Sequence, residues 1–344
     1  MNNKKSNFFN IAFMVVLLAI TIYVIFKDNE VEDIIAVLKE GNPLYIFIGL
    51  IIIFASWACE SLIIYITFRS LKEKIGFMRC WKYTFIGYYY SAITPSASGG
   101  QPMQMVYMSR DGYKFASASV TILLIVIVYK IVLLGLIGFM FITNGSFAFS
   151  YVDDVKWFFI LGVSINLICI LLYMMIFVSS GLLKKIIIKG INFLHRIKII
   201  RHKQRKIDKI TELIDDYEIG TKFIIKNPKL LIVTFIITIV QRVLLFSLPY
   251  IVYRYFGLND LSYLEIISLQ IILNTAVDNL PVPGGIGVTE IAFKKLYSAV
   301  FVAAVFVPSM LWSRFFSFYS MLIVSATVTL VAHIGTLRKR VVIK

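Results

Sequence analysis

The sequence predicts an all-α polytopic membrane protein with about six full transmembrane helices and two re-entrant helical hairpins in an inverted repeat. Of its 344 residues 59% are hydrophobic and only 16% are charged, too few charges to cover the surface of a soluble protein of this size. Several apolar runs reach the roughly 20 residues that a helix needs to cross a bilayer. Two glycine- and proline-rich stretches interrupt such runs. We therefore expect a single integral membrane domain over 1–344.

The charged residues predict how the helices are oriented. The net charge is +16, and Lys and Arg concentrate in every second loop, which is the positive-inside pattern of cytoplasmic loops. Lys4 and Lys5 precede the first predicted helix, 8–26, and Arg338 and Arg340 follow the last one. We expect both termini on the cytoplasmic side of a bacterial inner membrane. Because topology accounts for the positive charge, no nucleic-acid partner is expected.

Five further spans are predicted after the first helix. They lie over 44–68, 116–143, 156–179, 229–256 and 309–334. For loop charges to alternate, the segment 79–114 must enter and leave the membrane on one side. Its first half, 79–93, measures only about 22 Å as a helix, too short to cross comfortably.

The tip of this segment reads TPSASGGQP, from Thr94 to Pro102, and contains no large apolar side chain. Two prolines and an adjacent glycine pair exclude a regular helix. Irregular backbone at membrane depth is tolerated only where it is buried in protein or lines a watery cavity. The sequence therefore predicts a re-entrant hairpin over 79–114.

A second break reads NLPVPGGIGVTE, within a predicted hairpin over 264–307. Its glycine pair follows the first one by 185 residues, and the same offset relates Arg69 to Arg254. The spacing predicts one repeat over 44–143 and another over 229–334. Three full crossings lie between the starts of the two repeats, so we expect the repeats to be inverted, as in many transporters. A basic amphipathic insert, 182–228, lies between them and is expected to contact anionic lipid on the inner leaflet.

A helix should restart after each glycine pair, at about Gln101 and about Gly287. The free N–H groups and the positive dipole end of a helix start attract anions. Charged residues within spans usually face a protein interior or an aqueous path. The candidate substrate-binding residues are Gly99, Gly100, Gln101, Lys130, Arg242, Gly284, Gly285, Glu290 and Arg314, with Glu60 and Asp278 as candidates for coupling.

Other interpretations of these residues stay open. The basic side chains could snorkel to the interface or form structural ion pairs, and Glu290 could serve only to complement its helix dipole. Cys59, Cys80 and Cys169 show no paired spacing, the three histidines are scattered, and no nucleotide- or zinc-binding motif occurs. We expect no metal and no cofactor.

The two glycine motifs, their helices and the basic insert resemble the membrane part of bacterial lysylphosphatidylglycerol synthetase/flippase, over roughly 8–335. The resemblance implies a flippase that moves aminoacylated phosphatidylglycerol to the outer leaflet, which confers resistance to cationic peptides. It also implies that the glycine pairs, Gln101 and Glu290 line the cavity, although many relatives have an acid where this chain has Gln101. A proton-coupling role at that position is therefore in doubt.

The function expected from the sequence is translocation of an anionic or aminoacylated phospholipid between leaflets. The alternative is a lipid-modifying transferase of the phosphatidylglycerol lysyltransferase type, or a subunit of one, with Asp278 and Glu290 as its acid/base pair. A third hypothesis is that the protein transports a small anion or another ion. The soluble domain that transfers the aminoacyl group in bifunctional relatives has no counterpart in these residues, so we do not expect that reaction. The expected partners are anionic phospholipids and a separate lipid-modifying synthase, and a homo-oligomer is compatible with the sequence.

Overall fold

The computed structural model describes residues 31–179 and 203–342, with 181, 184, 185, 188, 189 and 192 between them. All regular secondary structure in these residues is helical. The predicted first span, 8–26, lies outside the described residues. So do Ile187, Ile191, Leu194 and Ile197, whose spacing predicted the amphipathic helix of the insert.

Thirteen helices are described in the two long segments, and their bounds follow in chain order. They are α1 Val31–Glu40, α2 Pro43–Ser70, α3 Phe77–Ala92, α4 Gly100–Arg110, α5 Phe115–Val152, α6 Lys156–Val178, α7 Lys203–Ile225, α8 Pro228–Phe246, α9 Leu248–Tyr255, α10 Tyr263–Val277, α11 Val288–Tyr297, α12 Ala303–Arg314 and α13 Ser320–Val342. Single 3-10 turns form over Pro95–Ala97, Asp153–Val155 and Pro283–Gly285, and a π-helical turn over Phe315–Tyr319 joins α12 to α13.

Four stretches of the described chain are long and apolar enough to cross a bilayer. They are Pro43–Ser70, Phe115–Phe177, Pro228–Tyr255 and Ala303–Ile334. The second stretch contains α5 and α6, which pack against each other, and α10 is a shorter apolar helix. The protein is therefore an all-helical, multi-pass membrane protein.

Two of these spans begin with the same local chemistry. Asn42 and Asn227 each cap a helix start through the side-chain oxygen, and Pro43 and Pro228 follow as the first helical residues. Proline suits this position because its fixed φ is helical and the N–H it lacks would have no partner there. Both spans are 28 residues long, Pro43–Ser70 and Pro228–Tyr255. Their first residues, and likewise their last residues, are 185 positions apart, which is also the spacing of the glycine pairs.

The chain breaks twice between helices that pack against each other. Helix α3 ends at Ala92 and α4 begins at Gly100, while α10 ends at Val277 and α11 begins at Val288. The restarts expected at Gln101 and Gly287 each fall one residue from these starts. The turns Pro95–Ala97 and Pro283–Gly285, here called the two tips, contact each other.

Both tips contain left-handed backbone. In the first tip Ser96 and Ala97 have φ values of 50° and 53°, and in the second Gly284 and Gly285 have φ values of 60° and 63°. Glycine adopts this conformation freely, whereas a residue with a Cβ is strained there. The first tip therefore holds a local strain that the second avoids.

The helices around the two tips pack against one another, while the tips differ in burial: Pro95, Ser96 and Ala97 are exposed, and Pro283 is buried. Helix α2 packs along α8, α3 along α13, and α10 against both α5 and α6. The last span begins at Ala303, six residues before the predicted Ser309, because Pro308 lies inside α12 instead of ending the preceding segment. At the sixth position of α12 this proline removes one backbone hydrogen bond, and the helix continues through it. Arg314 consequently lies at the end of α12, in mid-span, and not near a helix start.

Candidate functional site

Two cavities meet where the tips touch. The larger has a volume of about 740 Å³ and lies between the first tip, α4, α5, α6 and α7. The smaller, of about 270 Å³, lies between the tips, α10 and the π-helical turn. Ser96, Ala97 and Asp278 line both cavities. The first tip and the Asp278 carboxylate therefore form the wall between the two cavities.

Lys130 binds residues that follow α10. Its Nζ lies 3.3 Å from the Asp278 Oδ2 atom and donates to the Asn279 Oδ1 atom at 3.1 Å. The lysine side chain is 9% exposed, whereas the aspartate side chain is 30% exposed. The Asp278 carboxylate is therefore more accessible than the Lys130 ammonium group.

Tyr129 connects this ion pair to a second cation. Its hydroxyl donates to the Asp278 Oδ2 atom at 2.7 Å, and the Arg242 guanidinium lies 4.3 Å from the centre of its ring. A guanidinium over an aromatic face is attracted by the ring quadrupole. Lys130 also lies 5.1 Å from the same ring centre, so one tyrosine organises two cations and one acid.

Glu60 lies on α2 and is 9% exposed. The Gln104 side-chain amide donates to its Oε1 atom at 3.3 Å and to the Tyr83 carbonyl at 3.2 Å. Tyr88, Gln241 and Arg242 also interact with this carboxyl group. Gln241 in turn donates to the Ser56 carbonyl at 3.2 Å. Asp278, Lys130, Tyr129, Arg242 and Glu60 thus form a continuous set of polar contacts, here called the polar series.

The second broken segment contains its own buried ion pair. The Arg314 Nε atom lies 2.7 Å from Glu290 Oε1, and an Arg314 terminal nitrogen donates to the Gly284 carbonyl at 3.3 Å. The other Glu290 oxygen accepts from the Gly287 N–H at 2.7 Å. Glu290 therefore caps α11 and pairs with an arginine at the same time.

The glycine pairs lie against neighbouring helices. A Cβ on Gly100 would overlap Ser91 and approach the Gly87 carbonyl oxygen to 2.7 Å, and one on Gly99 would lie 2.7 Å from Thr94. Gly284 faces the Phe318 ring, and Gly284 and Gly285 both line the smaller cavity. Gln101 lines the larger one. The glycines therefore permit close packing at the tips.

The predicted site residues fall into two described groups. Lys130, Asp278, Arg242 and Glu60 belong to the polar series through Tyr129, while Arg314 and Glu290 form the separate pair beside the smaller cavity. Sequence reasoning missed Tyr129, Asn279 and Gln104. The first two adjoin predicted charged residues, and that adjacency was the available signal. Within the described parts of the chain, no group of three metal-ligating side chains occurs.

Comparison with known proteins agrees with this architecture. A curated relative, a UPF0104 membrane protein of Archaeoglobus fulgidus, is 24% identical over 282 residues, covering 80% of this chain and 82% of that protein. The family described as lysylphosphatidylglycerol synthase TM region matches residues 9–325. Because the match spans most of its length, the chain belongs to the lysylphosphatidylglycerol synthase TM region family.

Proposed function

We propose that this protein moves phospholipids with an anionic or aminoacylated headgroup between the leaflets of a membrane. The observation that carries the proposal is that two cavities meet at touching broken-helix tips, with Lys130 lining the larger cavity and Arg314 the smaller one. Arg242 lies against the ring of Tyr129, which also lines the larger cavity. Cationic side chains at this depth cost about 2.5–3.5 kcal/mol each on insertion scales. Function is the usual reason for such residues within a span.

The larger cavity suits a lipid. Its lining includes apolar side chains such as Ile122, Val126 and Ile176 together with Lys130 and Asp278. An acyl chain would contact the apolar side chains as the phosphate approached Lys130. Entry of the phosphate would draw Lys130 away from Asp278, because the two anions compete for one ammonium group.

The direction of access follows from the loop charges. In this proposal 79–114 and 264–307 are re-entrant hairpins that enter from opposite leaflets, with the termini in the cytoplasm. The larger cavity, bordered by α7, would open inward, and the smaller cavity would open outward. Moving the first tip would join the cavities, and the strained Ser96 and Ala97 are where such a change would begin.

The arrangement of the acids favours transport over lipid modification. An acid/base pair needs both groups within reach of one reacting atom. Asp278 contacts Lys130 and Tyr129, whereas Glu290 contacts Arg314 and the start of α11. The two carboxylates therefore have separate partners, and a transferase would have to bring them together.

A leaflet-exchange assay tests the proposal. The purified protein is placed in vesicles containing fluorescent phosphatidylglycerol, lysyl-phosphatidylglycerol or phosphatidylcholine, and an impermeant quencher measures the accessible fraction. We expect quenching beyond one half for an anionic or aminoacylated lipid and a smaller effect for phosphatidylcholine. No excess over protein-free vesicles for any lipid, with or without an ion gradient, would contradict the proposal.

A further inference from the structure

Glu60 differs from Asp278 and Glu290 because no cation lies within ion-pair distance of its carboxylate. The ion pairs of the described chain include Asp278 and Glu290 but not Glu60. Its hydrogen-bond partners are neutral: the amide of Gln104, 3.3 Å away, and the side chains of Tyr88 and Gln241. Gly87 permits that contact, since a Cβ there would overlap the Gln104 side chain. The packing therefore supplies an amide, and not a salt bridge, to this acid.

The groups that face Glu60 come from three helices. Helix α3 contributes Tyr88, α4 contributes Gln104, and α8 contributes Gln241 and Arg242. Of these, only Tyr88 titrates and only Arg242 carries a charge at neutral pH. The guanidinium acts on Glu60 through space, while it donates to the Gln241 side-chain oxygen at 3.4 Å and lies 4.3 Å from the centre of the Tyr129 ring.

The polar series is electrically balanced when its ionisable groups are charged. Glu60 and Asp278 supply two negative charges, and Lys130 and Arg242 supply two positive ones. An anionic headgroup entering this region would add an uncompensated negative charge in a medium of low dielectric, which is costly. One proton, taken up by one of the two acids, restores neutrality.

The contacts decide which acid takes up the proton. The Asp278 side chain is 30% exposed, and its Oδ2 atom accepts from both the Tyr129 hydroxyl and the Lys130 ammonium group, so its charge already has a cationic partner. Glu60 is 9% exposed, and burial without an ion pair favours the neutral form. We infer that Glu60 binds one proton when an anionic headgroup binds beside Arg242 and Lys130. Lipid movement is thereby coupled to a pH gradient.

This inference rests on the proposed function and adds its energy source. With Glu60 neutral, the Arg242 charge is no longer offset by a nearby carboxylate and attracts the lipid phosphate more strongly. With Glu60 ionised, the phosphate meets repulsion and leaves. Proton and headgroup therefore bind together and leave together.

The test uses the full chain in phosphatidylcholine vesicles containing fluorescent phosphatidylglycerol, with a pH difference of about one unit. Coupling of one proton per lipid predicts about a ten-fold enrichment of phosphatidylglycerol in the leaflet facing the alkaline side. Glu60→Gln should equilibrate the lipid without enrichment, whereas Glu60→Asp should retain enrichment. Glu73→Gln is the matched control, because Glu73 bonds Ser117 away from the polar series and should behave as wild type.

A second measurement does not depend on how the variants fold. Infrared difference spectra of the wild-type protein, recorded on adding phosphatidylglycerol, should gain a protonated-carboxyl band that is strongest at alkaline pH. Equilibration of phosphatidylglycerol by wild type without enrichment or a new band would overturn the inference and leave the proposed function intact. Enrichment that persists in Glu60→Gln would place the proton elsewhere. Absence of any lipid movement would instead contradict the proposed function.

Discussion

Arg314 and Glu290 form a buried ion pair across the second broken segment, with 2.7 Å between Nε and Oε1 and side chains only 9% and 10% exposed. The pair joins the end of α12 to the start of α11. It also lies directly before a π-helical turn, a feature frequent at functional sites. Removing either partner leaves the other charge buried and uncompensated.

We expect Arg314→Met and Glu290→Gln each to destabilise the protein by about 3–5 kcal/mol, the usual cost of breaking a buried pair from one side. The double variant should lose much less than the sum, because no unpaired charge remains. Thermal unfolding in detergent measures all three. Additive losses would show that the two side chains do not interact.

Lys130→Ala and Arg242→Ala should each slow exchange of phosphatidylglycerol by about 10- to 100-fold, since a hydrogen bond to a charged group contributes about 1.5–3 kcal/mol. Exchange of phosphatidylcholine should change less. Lys74→Ala, at an exposed position between α2 and α3, is the charge-matched control. Equal loss for both lipids would indicate a structural role for the two cations.

Gly100→Ala should destabilise the protein, because the new Cβ would overlap Ser91 and lie 2.7 Å from the Gly87 carbonyl oxygen. Gly135→Ala on α5 is the matched control, since nothing lies within 4 Å of a Cβ there. Alanine in that helix interior should be neutral or stabilising by up to about 1 kcal/mol. The measurement is the unfolding temperature of each variant. Similar temperatures for Gly100→Ala and Gly135→Ala would contradict close packing at the first tip.

Cysteine accessibility tests the wall between the cavities. In a background with Cys59, Cys80 and Cys169 replaced by Ala, Ser119→Cys lines only the larger cavity and Ser317→Cys only the smaller one. We expect an impermeant thiol reagent to label these two from opposite faces of the membrane. Ser96→Cys, which lines both cavities, should react from either face. Labelling of all three from one face would contradict this arrangement.

Local chemistry explains which parts of this fold are predictable from sequence. A glycine pair beside prolines disfavours a helix interior, and a proline after a capping Asn begins a helix, so the breaks and the restarts at Gly100 and Val288 lie within a residue of expectation. Pro308 misled the prediction because a proline inside a helix removes a hydrogen bond without always ending the helix. Whether the helix continues depends on the packing of the whole span.

The partners of the charged residues depend on tertiary structure and have no local signal. Lys130 and Asp278 are 148 positions apart, and their contact exists only because α10 packs against α5. The interval between Glu60 and Gln104 is 44 positions. Depth within a span identified Lys130 and Glu60 as unusual, but only helix packing shows that one belongs to a salt bridge and the other does not.

Helices α2 and α8 start alike, belong to spans of equal length and pack against each other. In the proposed duplication they would meet as two subunits of a twofold homodimer do, joined here within one polypeptide. At the 185-residue spacing Glu60 corresponds to Leu245, and Arg242 corresponds to Trp57. A true dimer would have to carry every charge twice at such an interface. Covalent fusion allows each copy to diverge, so that one acid faces one arginine without a duplicate.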